Sequence, residues 1–328
     1  MESQVLWWVG FGVFVVVMLT LDLKVFNRRA HEIKIKEALL WTAFWVALAL
    51  LFGLGIYLWR GHGDALNFLT CYLIEESLSI DNLFVFLLIF AYFAVPPKYQ
   101  HKVLYWGIIG AIIMRLVFIM AGRELLIRFD WMFYIFGAFV VITAVRMAFQ
   151  KGEKIDPEKN PVLRLFRRFV RVTENYEDGK FLVKRAGLYL ATPLLIVVLV
   201  VETTDVVFAL DSIPAVLGIT LNPFIVYTSN IFAILGLRSL YFALAGIMRL
   251  FHYLRYGLIV VLIFVGAKML IAHFYEIPTE IALGVVAGVL LISVIASIIW
   301  PRKQEIVLMP SELPGEGKEP TQSNQDKG

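Results

Sequence analysis

Apolar stretches of about twenty residues follow one another along nearly the whole chain, each closed by a short polar or basic segment. A run of that length crosses the hydrocarbon core of a bilayer as a helix. The pattern predicts spans near residues 5–26, 38–59, 65–93, 103–121, 131–149, 188–217, 224–247, 256–273 and 279–300. It implies an all-α polytopic membrane protein of about nine transmembrane helices. The first run carries no positive charge ahead of it and no small-x-small cleavage site behind it, so it reads as a retained span.

Composition agrees. Of the 328 residues 60% are hydrophobic and 17% charged, against about 25% charged in soluble domains. In such a chain the net charge of +4 does not point to nucleic acid; the distribution of the basic residues between loops carries the information. Lys24, Arg28, Arg29, Lys34 and Lys36 follow the first span, Lys98 and Lys102 the third, and a dense set from Lys151 to Arg185 the fifth. Arg249 and Arg255 follow the seventh, and the intervening loops hold only Arg60, Arg123 and Arg128. By the positive-inside rule the N-terminus is outside and the C-terminus in the cytoplasm. Cys71 is the one cysteine, which rules out an internal disulfide and reads as packing. No G-x-x-x-x-G-K-[ST] loop suggests nucleotide drive, and nothing suggests an enzyme or a resident cofactor.

The chain also matches itself. Arg115 recurs as Arg238, and Tyr134–Met147, ending Val-Arg-Met, recurs as Tyr256–Met269, ending Ala-Lys-Met. Residues 65–150 and 188–273 are thus expected to be two units of three spans. Three spans repeated in tandem enter the membrane in opposite directions, giving an inverted repeat with substrate near the midplane between the halves. Residues 1–64 supply two accessory spans, 274–300 a last one, and 301–328 a polar tail with the composition of disorder. Residues 151–187 form a basic cytoplasmic loop, in which Pro161–Val172 sets apolar Val162, Leu163, Phe166, Phe169 and Val170 against four arginines. That segment is expected to lie as an amphipathic helix on anionic lipid.

Two of the apolar runs contain acids. Tyr72–Phe84 carries Glu75, Glu76 and Asp81; Val201–Ala215 carries Glu202, Asp205 and Asp211. With Glu75 set on Asp205, Asp81-Asn82 falls on Asp211-Ser212, so each copy reads acid, five residues, acid, small polar. Each carboxylate in a span costs several kcal/mol unless it is protonated or paired. Arg115 and Arg238 are the only bases placed well inside spans, with Arg146 and Lys268 assigned to span ends; six acids exceed what two bases can neutralise. The surplus points to a cation or proton pathway, and the two acidic segments are expected to meet at one site. Arg115 is expected to pair with Glu76, and Arg238 with Glu202. On a continuous helix Glu75, Ser79 and Asn82 share a face while Asp81 points about 120° away. One ion could reach both acids of a copy only if the helix unwinds, for which Pro214 offers a place. Carboxylate, amide and hydroxyl oxygens suit Mn²⁺, Mg²⁺ or Ca²⁺, and these residues do not choose among the three.

The segments Y-L-I-E-E-S-L-S-I-D-N, V-E-T-T-D-V-V-F-A-L-D-S-I-P-A and S-N-I-F-A-I-L-G-L-R-S-L-Y-F resemble the TerC family of bacterial integral membrane proteins. That resemblance implies an inner-membrane protein that exports Mn²⁺, and it alone selects manganese. It carries the ligand role onto Glu75, Asp81, Asn82, Asp205, Asp211 and Ser212, with Glu202 beside them, and ranks Glu76 last. The family's association with tellurium resistance keeps a second expectation in view, a membrane scaffold for stress resistance with metal as regulator. An aspartyl protease built on Asp81 and Asp211 is disfavoured by the surplus of acids and the lack of a G-x-G-D segment.

Overall fold

A computed structural model describes residues 2–26, 35–149, 172–173, 175–185, 188–247, 253–275 and 277–300. Among these residues the chain forms α1 (Glu2–Phe26), α2 (Ile35–Arg60), α3 (His62–Tyr92), α4 (Pro97–Arg128) and α5 (Met132–Phe149). A short hairpin follows, β1 (Leu182–Arg185) and β2 (Leu188–Ala191), then α6 (Pro193–Leu217), α7 (Pro223–Ile247), α8 (Leu254–Ile271) and α9 (Thr279–Ile299). Seven of these helices are long and apolar enough to cross a bilayer. Val5–Leu21 of α1 is also apolar, and α3 is set apart by the carboxylates it carries.

Burial assigns each helix its place. The span of α7 is 94% buried, whereas those of α2 and α5 are only 22% and 17% buried. A helix covered all round is a core element, and helices with one covered stripe present the rest to lipid. Around α7 the chain packs in pairs: α3 lies along α7, α4 along α6, and α5 along α8, with α2 closing over α7 and α9 over α3 and α8.

Small residues set the closest crossings, since helices in lipid gain from backbone approach and not from expelling water. Gly107 of α4 meets Val201 of α6, and Gly137 of α5 faces Gly266 of α8. A Cβ at Gly266 would lie 2.6 Å from Val141 Cγ2 and 2.9 Å from the Gly137 carbonyl oxygen, so α5 and α8 would have to part. Gly266→Ala is expected to cost about 1–3 kcal/mol by overpacking. Gly284→Ala, where no atom stands within 4 Å of the new methyl, should be neutral. Thermal unfolding of the two variants in detergent separates these outcomes.

Four expectations need correction or fall outside the description. The sixth span does not begin at residue 188: Leu188–Ala191 is a strand paired antiparallel with Leu182–Arg185, and the helix starts at Pro193, a residue suited to a first helical turn. The hairpin seats the end of the basic loop on the α3–α4 turn, where Tyr176 donates to the Phe93 carbonyl at 2.6 Å and Lys102 to that of Gly179 at 2.7 Å. Neither acidic helix unwinds, for α6 runs unbroken through Pro214 and α3 through Glu75–Asp81. The amphipathic segment Pro161–Val172, apart from Val172, and the tail 301–328 lie outside the described residues.

Candidate ion site in the membrane core

Near the middle of α3, α4 and α6 three charged side chains meet. Arg115 Nη1 donates to Glu75 Oε2 at 2.7 Å, while its Nη2 and Nε reach the two carboxylate oxygens of Asp205 at 3.3 and 3.4 Å. Arg115 is 1% exposed and Glu75 fully buried, so water contributes little to balancing their charge. The guanidinium fork is suited to this, as it donates to carboxylates from a fixed plane and stays charged at any relevant pH. One cation between two acids leaves a negative surplus. Glu75 Oε1 has no hydrogen-bond partner.

The pairing differs from expectation, which set Arg115 on Glu76. Successive residues on a helix point about 100° apart. Glu75 faces α4 and α6, and Glu76 turns away to lie against the Tyr72 hydroxyl one turn earlier, its Oε2 unpartnered. Glu202, expected on Arg238, instead lies over α4, where a Cβ at Gly110 would overlap its carboxylate. Arg238 sits 3.4 Å from His101 Nε2.

Asp211 belongs to a second place. It accepts from Thr143 Oγ1 of α5 at 3.2 Å and lines a cavity of about 400 Å³ between α3, α5, α6 and α8. Asn82, Thr143 and Arg146 share that lining. The side chain of Asp81 lies outside the described residues. Because α3 and α6 stay helical, the two acids of each copy, six positions apart, cannot face one point. The structure therefore sorts the candidate ligands into a mid-membrane cluster, Glu75 and Asp205, and a cavity pair, Asn82 and Asp211. Ser79, on the face of α3 that also carries Glu75 and Asn82, stands between them with its buried Oγ unpartnered. Ser212 is likewise buried with a free Oγ. Among the described residues no three His, Cys, Asp or Glu side chains form a cluster able to hold a metal ion.

Sequence reasoning missed the reach of two bases. Lys268, assigned to a span end, is buried at 9% exposure. Arg146 lines the Asp211 cavity instead of standing clear of it. The signal was available, since both occupy matching positions in the repeated Val-Arg-Met and Ala-Lys-Met segments.

These features define a multi-pass α-helical membrane protein with an ionic core of hard oxygen donors. Residues 60–305 match the profile of the integral membrane protein TerC family, and the chain belongs to that family. It is 50% identical over 295 residues to the uncharacterized membrane protein STKORF319 of Myxococcus xanthus, covering 90% of this chain and 92% of that one. It is 48% identical to Alx of Salmonella typhi, provisionally described as a membrane-bound redox modulator, over 88% of this chain and 92% of the relative. The Alx protein of Escherichia coli K12 stands at 47% with the same coverage. No solved structure matches the chain.

Proposed function

We propose that the protein is a secondary transporter that exports Mn²⁺ from the cytoplasm, in the bacterial inner membrane, with its N-terminus outside and C-terminus inside. The observation that carries this reading is the meeting of Glu75 and Asp205, the matching acids of the two three-span units, on one guanidinium at mid-membrane. The pairing of helices supports an inverted repeat: α3 on α7 answers α6 on α4, and α5 on α8 closes the pair on itself. Glu75, Asp205, Asp211, Asn82, Ser212 and Asp81 are the proposed ligands, with Glu202 beside them. Manganese in preference to magnesium or calcium rests on the family likeness, because oxygen donors serve all three. The basic loop is assigned to anionic lipid. A redox role for this chain, which the description of its relatives raises, has no dithiol to use, because Cys71 is the only cysteine and is fully buried.

Export against an inside-negative potential moves two charges uphill, about 4.6 kcal/mol per ion for each 100 mV. Exchange for two protons cancels that cost, and the surplus acids can carry them. In proteoliposomes Mn²⁺ flux should require the protein, rise when a proton gradient opposes the direction of metal movement, and ignore an imposed potential. Absence of protein-dependent flux favours the scaffold reading; flux that ignores pH but follows potential leaves a uniporter.

A further inference from the structure

Two further bases lie on helices that pack against the acidic ones, at matching positions of the repeat. Arg146 lies in the last turn of α5 and Lys268 in the last turn of α8, at matching positions of the two repeated segments. Each of these helices packs on the acidic helix of the other unit, α5 on α6 and α8 on α3. Arg146 shares the 400 Å³ cavity with Asp211, one turn beyond Thr143, whose hydroxyl holds the Asp211 carboxylate. Lys268 is buried, on a helix that packs against α3. Glu75 is held by Arg115. Each acidic helix is therefore packed by the third helix of the opposite unit, which carries a base in its last turn.

We propose that Arg146 and Lys268 are tethered counter-cations: each compensates the acids of the opposite unit when no divalent ion is bound and is displaced when one enters. The inference rests on the transport reading and adds a regulatory pair to it. The physical argument is competition. A divalent cation and a guanidinium both seek the Asp211 carboxylate, and like charges brought together in a poorly screened cavity repel strongly. Arg146 can leave, because it is exposed at the cavity mouth and its stem can swing toward the interface. Lys268 is buried, so its ammonium moves within the bundle. Arg115 differs from both. Its guanidinium is held by two carboxylates at once, which makes it a fixed bridge. Neither Arg146 nor Lys268 touches the metal; both act through the acids as positioning residues.

The test is Mn²⁺ binding to the purified full chain, read from loss of the free-ion electron paramagnetic resonance signal. Arg146→Gln removes the competitor and keeps a polar side chain in the cavity. It should bind Mn²⁺ about ten-fold more tightly than wild type, and Lys268→Met should bind several-fold more tightly. Arg146→Lys should stay near wild type, because the charge remains. Reconstituted Arg146→Gln should also export more slowly, since a metal with no competitor leaves late. Tighter binding joined to slower export marks a displaced counter-ion, whereas structural damage weakens both. Unchanged or weaker binding by Arg146→Gln, with wild type binding normally, overturns the inference and leaves the transport reading standing. Should Arg146→Gln fail to accumulate, Lys268→Met decides by the same criterion. A wild-type protein that binds no Mn²⁺ overturns the transport reading and the inference together.

Discussion

Arg115→Met should destabilise the protein by about 3–5 kcal/mol, the effect of removing one partner from a buried ion network. The substitution roughly conserves volume and strands Glu75 and Asp205, both less than a tenth exposed, without their shared cation. The cost arises from the acids left behind, so neutralising them should remove most of it. The triple variant Arg115→Met, Glu75→Gln, Asp205→Asn replaces the ionic cluster by uncharged groups of similar shape, a change that is often neutral for buried pairs. It should regain most of the lost thermal stability in detergent while losing transport. Arg115→Lys keeps the charge but not the fork, and one ammonium cannot serve three hydrogen bonds to two carboxylates in the same plane. It should fall between wild type and Arg115→Met. A single Arg115→Met variant as stable as wild type would mean that the network contributes nothing to the fold.

Much of this architecture was legible in the pattern of residues, for a physical reason. In a bilayer each backbone polar group must be satisfied within its own helix, so an apolar run of sufficient length leaves one outcome. The exception is the start of the sixth span, where Leu188–Ala191 is as apolar as a span but pairs as a strand ahead of Pro193. Hydropathy does not register pairing with Leu182–Arg185. The acidic segments were equally plain, because carboxylates in such runs stand out against their surroundings. Pairing between them was not. Which of two adjacent acids meets Arg115 depends on the rotation of α3 about its axis, and that is set by packing against α7, α4 and α6. The same limit concealed Lys268: a base near the end of a span reads as snorkelling to the interface, yet the neighbours of α8 bury it. The two copies of the acidic motif suggested a single site. Unbroken helices divide the described candidates instead between the Arg115 cluster and the Asp211 cavity.

Asp211→Asn should reduce Mn²⁺ export at least ten-fold while leaving the protein as abundant in the membrane as wild type. The division into two places makes this the cleanest probe of the proposed transport. Asp211 accepts one hydrogen bond, from Thr143, and an asparagine carbonyl oxygen can accept it in the same position, so the fold loses little. The metal loses an anionic ligand at nearly constant volume, and a hard divalent ion discriminates strongly between carboxylate and amide. Asp205→Asn and Glu75→Gln lack this separation. Each leaves Arg115 with one carboxylate in place of two, so a fall in export there mixes transport with stability. Glu76→Gln alters a carboxyl whose partner among the described residues is the Tyr72 hydroxyl, and should leave export near wild type. Intracellular manganese, measured in cells carrying each variant at equal membrane abundance, orders the series. Full export by Asp211→Asn would remove Asp211 from the path and leave Glu75 and Asp205, among the described acids, to carry the proposed ligand role.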